Sequence, residues 1–157
     1  MANVVPVYEM DEKDHVENYR PISLLCIISK VLERFVLNRI KDRLEDLIAV
    51  CQHGFQSGRS CVANLLETLD YIRAILDRAC QVDCVYLDMS KAFYKVRHDL
   101  LMEKLRDAGF GGNLLTQFHA YLCGRRQCVT VLGVTSCDLP VTSGVPQGSI
   151  LGPALFL

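Results

Sequence analysis

A single carboxylate ends an apolar run in the stretch Val85–Phe93, VYLDMSKAF. Asp88 can bind a cation or move a proton, and it follows the run Val82–Leu87, which predicts a short strand. Loops that follow strands often carry functional groups, because a rigid scaffold positions them. A functional carboxylate is therefore one hypothesis for Asp88. The alternative is that Asp88 caps the turn into Ser90, where aspartate is a common residue.

No second carboxylate of this stretch shares a face with Asp88. Side chains two positions apart lie on the same face of a strand, and Asp83 lies an odd number of residues away. One carboxylate binds Mg²⁺ weakly, since magnesium sites usually combine more carboxylates with substrate phosphates. Spacing alone leaves both hypotheses for Asp88 open.

Asp88 must be positioned by the elements around it. The sequence predicts helices before Asp88, and both helices and strands after it. Apolar residues recur at helical spacing over 29–48, with cations on the opposite face, and predict an amphipathic helix. Ser60 is a suitable N-cap for a second helix. Two shorter helices are expected about Asp99–Asp107 and Asn113–Leu122, each followed by a glycine.

The chain begins and ends with extended or apolar segments. VVPVY near the N-terminus predicts a short extended piece, and Gln127–Leu132 and Val134–Leu139 predict a hairpin around Gly133. SGVPQGS is a predicted loop before the apolar run SILGPALFL, whose last three residues, Leu155 to Leu157, we expect to be exposed. This order of elements predicts an α+β fold with helices packed on a small antiparallel sheet.

Composition and charge exclude several classes of protein. The 157 residues are half apolar and 22% charged, which is typical of one folded domain. A net charge of −1 gives no bulk indication of a nucleic-acid partner. No run is long and apolar enough to predict a membrane span or a secretory signal, so an intracellular location is expected. The eight cysteines contain no C-x2-C pair, so free thiols and no zinc site are expected.

Four stretches, in this order, resemble the reverse-transcriptase domain of non-LTR (LINE-type) retrotransposons. They are NYRPISLLCIISKVLER at 18–34, QHGFQSGRS at 52–60, VYLDMSKAFYKVRHDLLMEKL at 85–105 and SGVPQGSILGPALF at 143–156. Together they extend over nearly the whole chain. The last stretch is more similar to the non-LTR elements than to group II intron or retron reverse transcriptases.

This resemblance implies a right-hand polymerase, with fingers over about 1–81 and an incomplete palm over about 82–157. The implied activity is RNA-templated addition of deoxynucleotides to a primer 3′ end with two Mg²⁺ ions, one at the attacking hydroxyl and one at the leaving oxygen. The implied partners are an RNA template, a DNA primer and deoxynucleoside triphosphates, and the implied location is nuclear or cytoplasmic. Oligomeric state is left open.

The resemblance also implies roles for individual residues. Asp88 corresponds to the first catalytic metal ligand, and the Met89 carbonyl could supply another. Arg20 corresponds to the fingers arginine that clamps the triphosphate, for which a guanidinium suits by bidentate pairing. Phe93 corresponds to the ring that excludes a ribose 2′-hydroxyl. The alternatives are a turn arginine for Arg20 and a core aromatic for Phe93.

Two further groups of residues correspond to nucleotide and template contacts. Gln147 and Gly148 lie in the GVPQG loop, where glycine allows close approach of backbone to a ligand. Arg59, Lys30 and Arg34 could meet template phosphates, together with two further helix cations, Lys41 and Arg43. The alternatives are an ordinary proline-containing turn and a solvated helix face.

The sequence departs from the family pattern in three places. Tyr94 stands where the family usually has the aspartate of K-A-F-D, and acidic residues at 9–12 stand where it usually has a lysine-rich segment. The aromatic-x-Asp-Asp motif, which supplies the other two metal carboxylates, is not among the 157 residues. We expect that motif and the thumb C-terminal to Leu157, and expect the isolated chain to be inactive. The alternative is a degenerate remnant that at most binds RNA or a protein.

Overall fold

The computed structural model describes residues 2–157. The chain divides into two compact units. The first unit joins Met1–Leu47 to Lys91–Leu157, and the second unit is Ile48–Ser90.

The first unit contains a sheet of five strands. They are β1 (Ala2–Tyr8), β2 (Tyr19–Leu24), β3 (Arg126–Val131), β4 (Val134–Thr135) and β5 (Leu139–Pro140). The strand order is β2-β1-β3-β4, and β5 also pairs with β3. β1 runs parallel to β3, whereas the other pairs are antiparallel. The sheet is therefore mixed, and the antiparallel sheet predicted from the sequence is corrected: long helical connections allow two strands to run in the same direction.

Five α-helices alternate with these strands and loops. They are α1 (Ile27–Glu45), α2 (Cys61–Leu76), α3 (His98–Asp107), α4 (Gly112–Leu122) and α5 (Leu151–Phe156). Single 3₁₀ turns form at Val16–Asn18 and Ala92–Tyr94. The predicted N-cap is confirmed, since Ser60 Oγ accepts a hydrogen bond of 3.0 Å from the backbone N–H of Ala63. Gly109 and Gly124 end α3 and α4 in the left-handed region, as the sequence predicts.

The core of the first unit lies between α1, α3, α4 and α5. Phe118 and Leu122 of α4 are 1% and 0% exposed, and Ile40, Leu101 and Leu155 pack in the same cluster. The expected exposure of Leu155 is therefore wrong, because α5 turns this side chain inward.

The buried face of α1 is not the full apolar stripe predicted from the sequence. Ile40 is buried, but so is Glu33, whereas Leu32 and Phe35 are exposed. The helix carries apolar residues on more than one face, so periodicity alone could not decide which face packs.

The second unit contains α2 and a segment over 81–89 that has no regular secondary structure. The predicted strand Val82–Leu87 is therefore wrong. A strand needs a neighbour for its backbone N–H and C=O groups, and no strand of residues 2–157 pairs with this segment. Val85, Tyr86 and Leu87 are accordingly more than four-fifths exposed, at 82%, 87% and 87%.

Two further features concern residues 2–157 as a whole. None of the eight cysteines in this range forms a disulfide. None of the helices described is both long and apolar enough to cross a membrane.

Candidate functional site

The residues predicted to be functional are divided between the two units. Arg20, Phe93, Gln147 and Gly148 lie in the first unit with Lys30 and Arg34, whereas Arg59, Asp88 and Met89 lie in the second. The first unit therefore carries the whole set predicted to contact the nucleotide, and its geometry can be described directly.

Three chain segments meet in the first unit through backbone hydrogen bonds. Ser23 of β2 donates to the Gln147 carbonyl oxygen at 2.8 Å, and Gly144 donates to the Val96 carbonyl oxygen at 2.7 Å. Val145 donates to the Phe93 carbonyl oxygen at 2.8 Å. We call this meeting of β2 with segments 93–98 and 143–149 the three-segment junction. It brings the strand of Arg20, the aromatic Phe93 and the loop of Gln147 into one structure.

Two glycines permit this close approach. Gly144 has φ +87°, and a Cβ atom there would lie 2.7 Å from the Tyr94 Cα. Gly148 has φ +98°, and a Cβ atom there would lie 3.0 Å from the Ser23 carbonyl oxygen. At Gly148 the backbone thus lies close to the chain's own β2, and the predicted approach to a ligand stays a prediction.

Tyr94 lies half-buried at the centre of the junction. Its hydroxyl contacts the Pro21 carbonyl oxygen of β2 and lies 2.6 Å from the Gln147 side-chain oxygen Oε1. Burial raises the pKa of Tyr94 to about 12, and the nearby positive charge of Arg20 opposes this rise. The phenol is therefore neutral at ordinary pH and links β2 to the 143–149 loop.

Arg20 forms an ion pair with Glu9. The hydrogen bond from Arg20 lowers the pKa of Glu9. A phosphate that approaches Arg20 must compete with this carboxylate. The acidic segment at 9–12 thus places a carboxylate beside Arg20, the residue predicted to bind the triphosphate.

Phe93 packs at the margin of the core. Its ring stacks on Phe156 of α5, with ring centroids 4.5 Å apart and an interplanar angle of 12°. This packing is what the core-aromatic alternative expects.

A cavity of about 180 Å³ opens beside the junction. Its polar lining includes Ser23, Tyr94, Arg125, Gln127 and Ser143. The guanidinium of Arg125 lies 5.8 Å above the ring centroid of Tyr121, which orients it by a cation–π contact. The cavity therefore places one cation and several hydroxyl groups next to the loop of Gln147.

Glu33 is a buried carboxylate that sequence reasoning missed. It is 3% exposed, and its Oε2 accepts hydrogen bonds from the backbone N–H groups of Ile150 at 2.7 Å and Leu151 at 3.1 Å. These bonds hold the start of α5 against α1. The available signal was a carboxylate three residues before Val36 and seven before Ile40, on a face that helical spacing makes apolar.

Four of the five cations of α1 were predicted to meet template phosphates, and these four differ in their surroundings. Lys41 pairs with Glu45 at 3.4 Å, and Arg43 donates through Nε to the Ala108 carbonyl oxygen at 3.0 Å. Lys30 and Arg34 are exposed, and neither forms an ion pair within residues 2–157. Of these four cations, Lys30 and Arg34 are therefore the best placed to meet an external phosphate.

In the second unit, Arg59 is held by its own loop and by α2. Its Nη2 donates to the Val50 carbonyl oxygen at 2.9 Å, and its Nη1 lies 3.4 Å from Glu67. The buried ring of His53 also lies 3.4 Å from Glu67. Arg59 thus stabilises the loop that precedes α2.

Asp88 and Met89 are exposed in the irregular segment of the second unit. Within residues 2–157, the one group of three or more possible metal ligands that lie close enough to share an ion is Glu12, Asp14 and His15, all exposed, and Asp88 is not among them. Asp88 offers one carboxylate, whereas a divalent site usually needs several oxygen ligands. The described residues at Asp88 therefore do not fit a complete metal site.

Comparisons with known proteins identify the family of this chain. The sequence profile of the family described as reverse transcriptase (RNA-dependent DNA polymerase) matches residues 11–157. The "Probable RNA-directed DNA polymerase from transposon BS" of Drosophila melanogaster is 33% identical over 99% of this chain and 17% of its own length.

Two further relatives are similar over most of the chain. The "Probable RNA-directed DNA polymerase from transposon X-element" of Drosophila melanogaster is 37% identical over 88% of this chain and 15% of its own length. The "RNA-directed DNA polymerase from mobile element jockey" of Drosophila funebris is 32% identical over 90% of this chain and 16% of its own length. The chain spans 15% to 17% of the length of these relatives. It belongs to the reverse transcriptase (RNA-dependent DNA polymerase) family, as a domain of the LINE type.

Proposed function

We propose that this chain forms the nucleotide-proximal part of an RNA-directed DNA polymerase, which adds deoxynucleotides to a primer 3′ end along an RNA template. The observation that carries the proposal is the three-segment junction. Ser23 and Gln147 join through a 2.8 Å backbone hydrogen bond, and Tyr94 contacts both Pro21 and Gln147. The junction thereby brings together segments that lie far apart in the sequence. The family resemblance assigns these segments to the same ligand, the nucleotide.

The proposal gives each residue of the junction a role. Arg20 pairs with the triphosphate after its exchange from Glu9, and Gln147 and Gly148 lie beside the nucleotide. Phe93 excludes a 2′-hydroxyl while its other face stacks on Phe156. The fingers would extend over about 1–81 and the palm over about 82–157.

The helix cations receive a separate role in this proposal. Lys30 and Arg34 meet template phosphates, because they are exposed and carry no internal carboxylate partner in the part of the chain that the structure describes. Each such contact releases counterions, so binding should weaken as salt rises.

We further propose that the isolated 157-residue chain does not extend a primer. The family generally uses a divalent metal ion, and the resemblance makes Mg²⁺ the proposed ion. Asp88 alone supplies too few ligands for it. The remaining ligands would come from an aromatic-x-Asp-Asp motif that these 157 residues lack.

Primer extension tests the proposed inactivity directly, and any extension would also bear on the polymerase proposal. The chain is supplied with an RNA template, a DNA primer, deoxynucleotides and Mg²⁺, in parallel with Asp88→Ala and the control Asp83→Ala, which alters a nearby exposed carboxylate. We expect no extension by any of the three. Extension by the wild type and by Asp83→Ala that Asp88→Ala abolishes would refute the proposed inactivity, and would support the polymerase and the role of Asp88 together.

A second candidate is an RNA-binding remnant without catalysis. Lys30 and Arg34 favour it, since both are exposed and neither forms an ion pair among the residues that the structure describes. Neutralising each to Gln should reduce the slope of log K against log[salt] by about 1, whereas Lys41→Gln, whose cation already pairs with Glu45, should change it less. RNA binding that is weak and insensitive to all three substitutions would exclude a template role for α1.

A further inference from the structure

The contacts of Tyr94 support the proposed function, but Tyr94 itself has no role among the residues of the junction so far. Its hydroxyl touches two groups from different segments, the Pro21 carbonyl oxygen of β2 and the side-chain amide of Gln147. The resemblance places an aspartate at this position in the family, so the phenol is a feature of this chain.

Counting protons fixes how these three groups can bond. A phenol carries one proton and can also accept, whereas a backbone carbonyl oxygen can only accept. One proton cannot serve both the Pro21 carbonyl and the Gln147 amide oxygen. All three groups are satisfied when Tyr94 donates to Pro21 and Gln147 turns its NH₂ group toward the phenol oxygen.

The backbone around Tyr94 leaves the phenol little room to follow Gln147 into another position. Ser143 Oγ donates to the Tyr94 carbonyl oxygen at 2.9 Å, and Gly144 lies so close that a Cβ atom would meet the Tyr94 Cα at 2.7 Å. The backbone that carries the phenol is therefore fixed, so a change in this contact has to come from rotation of a side chain.

We propose that Tyr94 is a positioning residue that sets the orientation of the Gln147 amide, directing its NH₂ inward and leaving its carbonyl oxygen free to accept a hydrogen bond from the nucleotide. This inference rests on the proposed function only for the identity of the ligand. The orientation of the Gln147 amide does not depend on the nucleotide site. A ring in the same place without a hydroxyl would pack similarly but would not select one amide orientation.

The first test is NMR of the Gln147 side-chain amide in the whole chain. Tyr94→Phe removes the hydroxyl and keeps the ring, and Tyr71→Phe makes the same change at a side chain that is 68% exposed. Hydrogen exchange of the Gln147 NH₂ should become about fivefold faster in Tyr94→Phe, the factor for one net hydrogen bond, and stay unchanged in Tyr71→Phe. An unchanged Gln147 signal in a folded Tyr94→Phe variant would overturn the proposal.

Gln147→Ala provides the same test from the other partner if Tyr94→Phe does not fold. The ring and hydroxyl signals of Tyr94 should shift in Gln147→Ala but not in Gln117→Ala, an exposed glutamine of α4 that does not line the cavity. Tyr94 signals that respond equally to both substitutions would show that the two side chains are not coupled.

A double-mutant cycle then asks whether Tyr94 acts on the ligand through Gln147. Binding of a deoxynucleoside triphosphate with Mg²⁺ should weaken in Tyr94→Phe and in Gln147→Ala, and the double variant should bind no more weakly than Gln147→Ala. Additive losses would overturn action through Gln147. Absence of binding by the wild type would count against the proposed function, and the amide measurement would still decide the role of Tyr94.

Discussion

Gly144 is the residue at which the junction tolerates the least change. Gly144→Ala would place a Cβ atom 2.7 Å from the Tyr94 Cα and 2.9 Å from the Phe93 carbonyl oxygen, at φ +87°. Both neighbours are backbone atoms and cannot rotate away. We expect a loss of about 2–5 kcal/mol in the free energy of unfolding, from left-handed strain plus overpacking.

Gly133 provides the matched control for this substitution. It has φ +79°, but a Cβ atom there would meet nothing within 4 Å. Gly133→Ala should therefore lose only the strain contribution, about 1–2 kcal/mol. Equal losses of unfolding free energy for the two variants in denaturant would show that a Cβ atom at Gly144 does not clash with the backbone of Phe93 and Tyr94.

Tyr94 and Tyr121 should make the protein sensitive to alkali. Burial raises both pKa values from 10.0 to about 12. The unfolded chain releases these protons near pH 10, whereas the folded chain keeps them until about pH 12. Their contribution to stability is thus complete below pH 10 and lost as pH rises from 10 to 12.

The measurement is the free energy of unfolding across this pH range. In Tyr94→Phe and in Tyr121→Phe, the free energy of unfolding should fall less steeply with pH than in the wild type, since a phenylalanine has no proton to release. If the free energy of unfolding of a variant falls with pH as steeply as that of the wild type, the tyrosine that was replaced does not have a raised pKa.

At the scale of elements, Glu33 joins α1 to the start of α5. Glu33→Ala leaves two backbone N–H groups without their acceptor, the half-buried one of Ile150 and the buried one of Leu151. We expect a loss of about 2–4 kcal/mol in the free energy of unfolding, since each buried unsatisfied group costs about 1–3 kcal/mol. Glu103→Ala, at an exposed position of α3, is the control and should change stability by less than about 0.5 kcal/mol.

Helices proved more predictable than strands because their signals are local. The N-cap at Ser60 and the stop at Gly109 act within one turn, and both are confirmed. The segment Val82–Leu87 has strand composition, but a strand forms only with a partner, and periodicity contains no information about partners. The parallel pairing of β1 with β3 could not be predicted for the same reason.

The sequence proposes the residues of the candidate site one by one, but it does not predict their contacts. The resemblance identified Arg20, Phe93 and Gln147, and the structure brings their segments together in the first unit. It could not identify Glu9 as the partner of Arg20, nor Tyr94 as the link to Gln147, because both depend on tertiary contacts. The role of Asp88 as a metal ligand stays a prediction.

At the scale of the whole molecule, much apolar surface is exposed. In α1, Ile27, Ile28 and Phe35 are 80%, 81% and 72% exposed, and Val85 and Leu87 of the second unit exceed 80%. Single exposed apolar residues are ordinary, but groups of them usually mark binding surfaces or aggregation-prone patches.

We therefore expect the purified chain to bind hydrophobic dyes and to self-associate with increasing concentration. Substituting Ile27, Ile28 and Phe35 together by polar residues should reduce dye fluorescence, while a triple substitution at exposed polar positions of α3 should leave it unchanged. A monodisperse chain that binds no dye would contradict this prediction.

The pairing of β1 with β3 has a consequence for the moment at which the chain can fold. Thr130 Oγ1 donates to Asn3 Oδ1 across 127 residues of sequence. At ribosomal rates of about 5–20 residues per second, β1 waits roughly 6–25 s for the strand beside it to be synthesised. During that interval the hairpin of β1 and β2 presents an open edge, to which other nascent chains or chaperones have access. The order of synthesis thus makes the earliest strand of this sheet one of the last to be enclosed.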